Sequence, residues 1–319
     1  MQDTEAVMPV NKKTNVTGIK TGNSGFSING SKGSKALIET IMEIIFFVCA
    51  IFAVIAVAAI TIYMIISGAP ALMKVGIVDM LFNTVWQPTA AEPSFGIAYI
   101  VLTSIIGTAF AIVLGVPVGL LTAVFISEVA HKKVAAVVKP AVELLAGIPS
   151  VVYGFFGMVM IVPAIRYNFG GTGSSILAAS ILLGIMILPT IIGVSESAIR
   201  AVPGSYYEGS LALGATHERS VFRAVLPAAK SGIFAGIILG VGRAIGETMA
   251  VIMVAGNQAR VPNGILKGVR TLTANIVIEM GYAEGLHREA LIATGVVLFV
   301  FILIINLAFS IIKMRSEKE

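Results

Sequence analysis

Arg243 and Glu247 stand in the stretch LGVGRAIGETMAV, residues 239–251, inside a long apolar run. An arginine at mid-bilayer costs roughly 2.5–3.5 kcal/mol on an insertion scale. Four residues apart, the two side chains share one face of a helix, but arginine before glutamate is the weaker order for helix support. Two readings follow. One is a structural ion pair that locks helices together. The other is a polar station on the path of an anion, where the planar guanidinium donates two parallel hydrogen bonds to an oxyanion and Glu247 holds the arginine in place. The pair lies too deep for either side chain to snorkel easily, and ionisable groups at that depth favour the functional reading. Thr248 adds a hydroxyl beside Glu247.

Further candidates for the same path are Glu143 and Ser150, with Tyr153 after them, in a segment interrupted by Pro140 and Pro149. Proline frees backbone carbonyls, which is acceptable only against protein or a water-lined cavity. A kinked packing helix is the competing account. Glu196, between Ser195 and Ser197, reads as an exposed helix-end residue. The mixed charges of 256–289 (Arg260, Lys267, Arg270 and Arg288 against Glu279, Glu284 and Glu289) read as a solvated face. His131, His217 and His287 are too scattered to suggest a metal site.

The elements that must position these residues are membrane spans. The chain is 57% hydrophobic and 12% charged, with a mean hydropathy of +0.95, far more apolar and less charged than a soluble domain. The net charge of +5 is spread over loops, which suits topology signals and gives no reason to expect a nucleic-acid partner. Cys49 is the only cysteine, so no intrachain disulfide forms. Trp86 is placed to act as an interfacial anchor. Residues 1–40 read as a polar, disordered N-terminal tail, and 41–319 as a transmembrane domain.

Six apolar segments are long enough to cross a bilayer: about Ile44–Ile66, Ile97–Phe125, Val134–Ile161, Ile176–Val194, Gly232–Ala255 and Leu291–Ile312. The expected fold is therefore an all-α membrane protein of six transmembrane helices. The tail, 127–139, 196–230 and the C-terminus carry 15 Lys and Arg, whereas 67–96, 163–174 and 256–289 carry 6. The positive-inside rule then puts both termini in the cytoplasm. Gly232, Gly236 and Gly240, with Gly242 and Gly246, give the fifth segment the small-residue spacing that lets a second helix approach closely. No Gly-rich phosphate loop ending in Gly-Lys-Ser/Thr occurs. No nucleophile–base pair is visible either, so the chain reads as a transport component and not as an enzyme.

The segment 202–237, VPGSYYEGSLALGATHERSVFRAVLPAAKSGIFAGI, has an amphipathic pattern with apolar Leu211 and Val225, and could lie as an interfacial helix on the inner leaflet. Its spacing says more. Glu208, Gly214 six residues on, and then Leu226-Pro227 resemble the cytoplasmic signature loop of bacterial ABC importer permeases, with Gly209, Ser210 and Ala224 as departures. ELLAGIPSVVYGFFG (143–157), FGIAYIVLTSIIGTAFAIVLGVPVGLLTAVFISE (95–128) and the run through GRAIGETMAV then look like the C-type permease subunit of the phosphate-specific ABC importer. The likeness covers nearly the whole chain from about residue 40.

That resemblance implies a multi-pass permease of the bacterial inner membrane, with no cofactor in this chain. It implies an A-type sister permease, two copies of an ATP-binding subunit and an extracytoplasmic phosphate-binding protein as partners. Arg243 and Glu247 fall where the family places an arginine and a glutamate in the translocation path. Glu208, Gly214, Leu226 and Pro227 fall in the loop that docks on the ATPase. The competing functions are permeation of sulfate or molybdate and, from another class, a secondary transporter using the Arg–Glu pair as a proton relay.

Overall fold

The computed structural model describes residues 32–316. Residues 1–31 of the expected tail lie outside the described residues, and helix is already present from Lys32. The first helix, α1, is Lys32–Val75. The chain falls into two units, the first ending at Ala58. The part of α1 in that unit is exposed apolar surface over most of its described length, as suits a helix bathed in lipid.

The second unit holds everything else. After α2 (Ile77–Phe82), the two-residue strands β1 (Trp86–Gln87) and β2 (Ser94–Phe95) pair antiparallel, Trp86 opposite Phe95. Helix α3, Ala98–Val124, runs on through a π-helical turn at Phe125–Val129. Then come α4 (Lys132–Gly147), α5 (Ser150–Phe156), a second π turn (Gly157–Ile161) and α6 (Val162–Phe169). Helix α7 is Ile176–Arg200, capped by the Ser175 hydroxyl, which accepts from the Ala178 amide at 3.2 Å. The cytoplasmic loop folds as α8 (Gly204–Ala212), α9 (His217–Ser220), a π turn (Val221–Val225) and α10 (Leu226–Ala228). Helices α11 (Lys230–Gly246), α12 (Met249–Val254), α13 (Leu272–Glu279) and α14 (Gly285–Ser316) complete the order.

Five helical stretches are long and apolar enough to span a membrane, and a sixth arises if the bent pair 217–228 and 230–246, which meet at 70°, counts as one. Two expected spans are corrected. Val134–Ile161 is not one kinked helix: it divides at Ile148-Pro149, because the residue before a proline is driven out of helical geometry, and the spanning stretch is Ser150–Phe169. Pro140 sits inside α4 without ending it. The Gly232–Ala255 segment is also not continuous, since α11 stops at Gly246 and α12 starts at Met249.

Helix α7 is the central post, the most buried of the spans. Helices α3 and α11 both pack against it and touch each other. A Cβ on Gly240 of α11 would stand 3.0 Å from the Ile191 side chain, and one on Gly236 3.1 Å from Val194. The anticipated glycine stripe is therefore the seam between α11 and α7, where backbones meet closely without a hydrophobic drive between helices. Gly242 and Gly246 face open space.

Candidate functional site

The break between α11 and α12 brings the first candidates together. Glu247 has an extended backbone, φ −69° and ψ 131°, so it does not share a helical face with Arg243. No ion pair links the two among the described residues, which corrects the expected Arg–Glu pair. Glu247 Oε1 instead accepts from the Ala250 amide at 3.2 Å and caps α12. Thr248 Oγ1 donates to the Gly246 carbonyl at 3.2 Å. From outside the segment, Thr273 Oγ1 donates to the Glu247 carbonyl at 3.0 Å. These bonds satisfy backbone groups that a broken helix would otherwise leave bare in an apolar setting.

Arg243, in the last turn of α11, is half-buried and has no hydrogen bond or ion pair among the described residues. The hydroxyl of Tyr153 in α5 donates to the Leu145 carbonyl at 2.8 Å and so ties α5 back to α4. Beside the break lies a small cavity of about 20 Å³, lined by Thr103, Ser104 and Thr108 of α3 and by Glu247, Thr271 and Thr273. It has room for about one water molecule.

The remaining path candidates lie elsewhere. Ser150 is the half-buried first residue of α5. Glu143 belongs to α4 and not to the third span, and it borders a separate cavity of about 80 Å³ with Lys139 and Glu196. Glu196 is not exposed: it is 3% accessible and takes Lys139 Nζ at 3.0 Å and Arg200 Nε at 2.5 Å.

In the segment expected to couple to the ATPase, Glu208, Gly214 and Pro227 are exposed and Leu226 is partly covered. Gly214 has φ +83°, a conformation that favours glycine, and a Cβ there would meet nothing in this chain. Leu211 and Leu213 are exposed, but Val225 is buried at 4% and is withdrawn from the expected apolar face.

A second charged cluster was missed. Glu279 at the end of α13 accepts Arg270 Nη1 at 2.5 Å, Trp86 Nε1 at 2.9 Å and His287 Nε2 at 2.8 Å. Trp86 is 3% exposed, so it is an interior residue and not an interfacial anchor, and 256–289 is only partly a solvated face. Beside the cluster, loss of some solvent around the hydroxyl of the exposed Tyr282 and then the Glu279 charge raise it above its ordinary range, against the opposing Arg270. The apolar run LTANIVIEM inside the loop was the available signal that a helix enters the core here.

Comparison with known proteins agrees with this architecture. Residues 115–318 match the family described as binding-protein-dependent transport system inner membrane component. A probable ABC transporter permease of Bacillus subtilis, YqgH, is 36% identical over 86% of this chain and 92% of its own length. The phosphate transport system permease protein PstC of Pasteurella multocida is 31% identical over 76% of this chain and 81% of its own. Among solved structures, a MetNI methionine ABC transporter chain aligns over 69% of this chain and 94% of its own at 23% identity and a TM-score of 0.53. A bacterial alginate ABC transporter chain aligns over 87% and 96% at 17% identity and a TM-score of 0.58. At those identities the structures speak for the fold alone. The chain belongs to the family of binding-protein-dependent transport system inner membrane components. It is a multi-pass permease subunit of the bacterial inner membrane, acting within an ABC transporter complex, and not an enzyme.

Proposed function

We propose that this chain is the C-type permease subunit of an ATP-driven importer of inorganic phosphate. It works with an A-type sister permease, two copies of an ATP-binding subunit and an extracytoplasmic phosphate-binding protein. The observation that carries the substrate class is Arg243, a guanidinium within a span that has no carboxylate partner among the described residues. A cation in such a setting is costly until an anion meets it, and the guanidinium fork suits a tetrahedral oxyanion. The relatives named as phosphate transport permeases support phosphate as that anion. The separation of Glu247 from Arg243 weighs against a proton relay built on that pair. Glu208, Leu211, Leu213 and Gly214 form the exposed turn offered to the ATPase. Leu226 and Pro227 join that turn to α11, while Ser150, Glu143 and Thr248 stand as secondary path residues.

The test is uptake of labelled phosphate by cells carrying Arg243→Gln. A hydrogen bond to a charged group contributes about 1.5–3 kcal/mol, so uptake at limiting phosphate falls by about 10–100-fold, with the complex still assembled. Uptake equal to the parent overturns the assignment. Competition by sulfate or molybdate as strong as that by unlabelled phosphate would keep the anion path and reject phosphate as its substrate.

A further inference from the structure

Glu279 does more than close a loop. It joins β1 through Trp86, α14 through His287 and the segment before α13 through Arg270. Arg270 is held in turn by several bonds: Nε donates to the Asn257 carbonyl at 3.2 Å, Nη1 also reaches Asn275 Oδ1 at 3.1 Å, and its own carbonyl accepts from Thr103 of α3 at 2.7 Å. Ser104, one residue on, accepts from the Leu272 amide at 3.0 Å. The segment held this way carries Thr271 and Thr273, and Thr273 grips the Glu247 carbonyl at the helix break. A chain of direct contacts therefore runs from Glu279 to the place where α11 gives way to α12. It lies at the end of the bundle that the positive-inside count puts outside the cell.

The clamp is held against an opposing tendency. Tyr99 Oη, Asn257 Oδ1, Gln258 Oε1 and Asn275 Nδ2 are buried with no hydrogen-bond partner among the described residues, and both asparagines are among those that hold Arg270. Buried polar groups without partners favour any opening that admits water. The ion pair of Arg270 and Glu279, whose side chains are 13% and 8% exposed, opposes that opening.

We propose that Glu279 is a positioning residue of the transport path: paired with Arg270, it holds segment 269–273 over the cavity beside Glu247 and keeps the outward end of the Arg243 path closed until the complex is driven open. The inference rests on the reading of Arg243 as a station in that path. Glu279 touches no substrate in this account. It acts through Arg270 and Thr273.

The experiment follows access to the cavity, with the assembled complex in intact cells. Cys49, the only native cysteine, is replaced by serine. Thr108, which lines the cavity and whose hydroxyl makes no hydrogen bond among the described residues, is changed to cysteine. Labelling by a membrane-impermeant maleimide is then timed from outside. The parent labels slowly, and Glu279→Gln labels at least fivefold faster, because Arg270 is left buried and unpaired. Arg270→Gln together with Glu279→Gln returns to within twofold of the parent, since two amides can pair without a buried charge. Glu284→Gln, on an exposed neighbour, changes nothing. A merely structural bridge would lower the yield of assembled complex but leave the labelling rate of what assembles unchanged. Unchanged labelling in Glu279→Gln overturns the proposal. Should that variant fail to assemble, the double variant decides, and fast labelling there overturns it. Labelling needs no phosphate. Failure of the phosphate reading, seen as normal uptake in Arg243→Gln, is thus a separate outcome.

Discussion

Two nearly buried glutamates mark the ends of this bundle, and each gathers two basic side chains. Glu279 holds Arg270 and His287, which are 13% and 10% exposed. Glu196 holds Lys139 and Arg200, which are 48% and 51% exposed. Both carboxylates are nearly buried, at 8% and 4% exposed, so the difference lies in their partners. At the outward end, Arg270 and Glu279 depend on each other for solvation, and movement means breaking several bonds at once. At the inward end, either cation can turn to water when the carboxylate leaves it. The outward cluster is thus suited to hold one arrangement, and the inward one to give way. That is the division expected of a transporter driven from its cytoplasmic side.

The strongest way to break this comparison is to delete each carboxylate. Glu279→Ala leaves a buried guanidinium uncompensated, a loss of about 3–5 kcal/mol for pairs of this type. The expected outcome is a large drop in the melting temperature of the purified complex, or failure to assemble. A fall no larger than that from an exposed substitution would mean that Arg270 finds water, and that the two ends are alike.

Much of this was legible beforehand. Apolar runs gave four of the six expected spans, and the four-residue spacing of Gly232, Gly236 and Gly240 gave the face of α11 that meets α7. What escaped depended on partners distant in sequence. Trp86 is 193 residues from Glu279, and Lys139 is 57 from Glu196, so these partners left no local mark, although the apolar run around Glu279 did signal a helix entering the core. The Arg243–Glu247 spacing suggested one helical face because the break between them is held by Thr273, 26 residues away. The division at Pro149 did carry a local signal. Pro140 carried the same one and broke nothing, since α4 accommodates it within its length.

A second prediction tests whether the inward end is shaped by backbone conformation more than by charge. Gly214 sits at φ +83° with open space around it. Gly214→Val therefore meets no clash inside this chain but imposes a conformational cost of about 1–3 kcal/mol on a β-branched residue. The turn between α8 and α9 relaxes and Leu211 and Leu213 are displaced, while the spans still insert. Co-purified ATPase should fall several-fold and phosphate uptake with it. Undiminished ATPase and normal uptake would leave the loop as an interfacial helix only.

The smallest effect is expected at Glu196. Glu196→Ala removes the carboxylate between α4 and α7, but Lys139 and Arg200 already reach solvent, and Arg200 keeps a contact from Nη2 to the Ile126 carbonyl at 3.4 Å. Removing the carboxylate leaves both cations in contact with water, so the loss lies near the value for exposed ion pairs, about 0–1 kcal/mol. The melting temperature should therefore fall by no more than a few degrees. Salt sharpens the contrast, since the Debye length shrinks from about 10 Å at 0.1 M to about 3 Å at 1 M and screens exposed charges far more than buried ones. Raising salt over that range should shrink the gap between Glu196→Ala and the parent, while leaving the gap for Glu279→Gln largely intact. A Glu196→Ala gap that is large and indifferent to salt would show that Lys139 and Arg200 are shielded in the assembled transporter. The inward cluster would then be a second clamp and not a yielding joint.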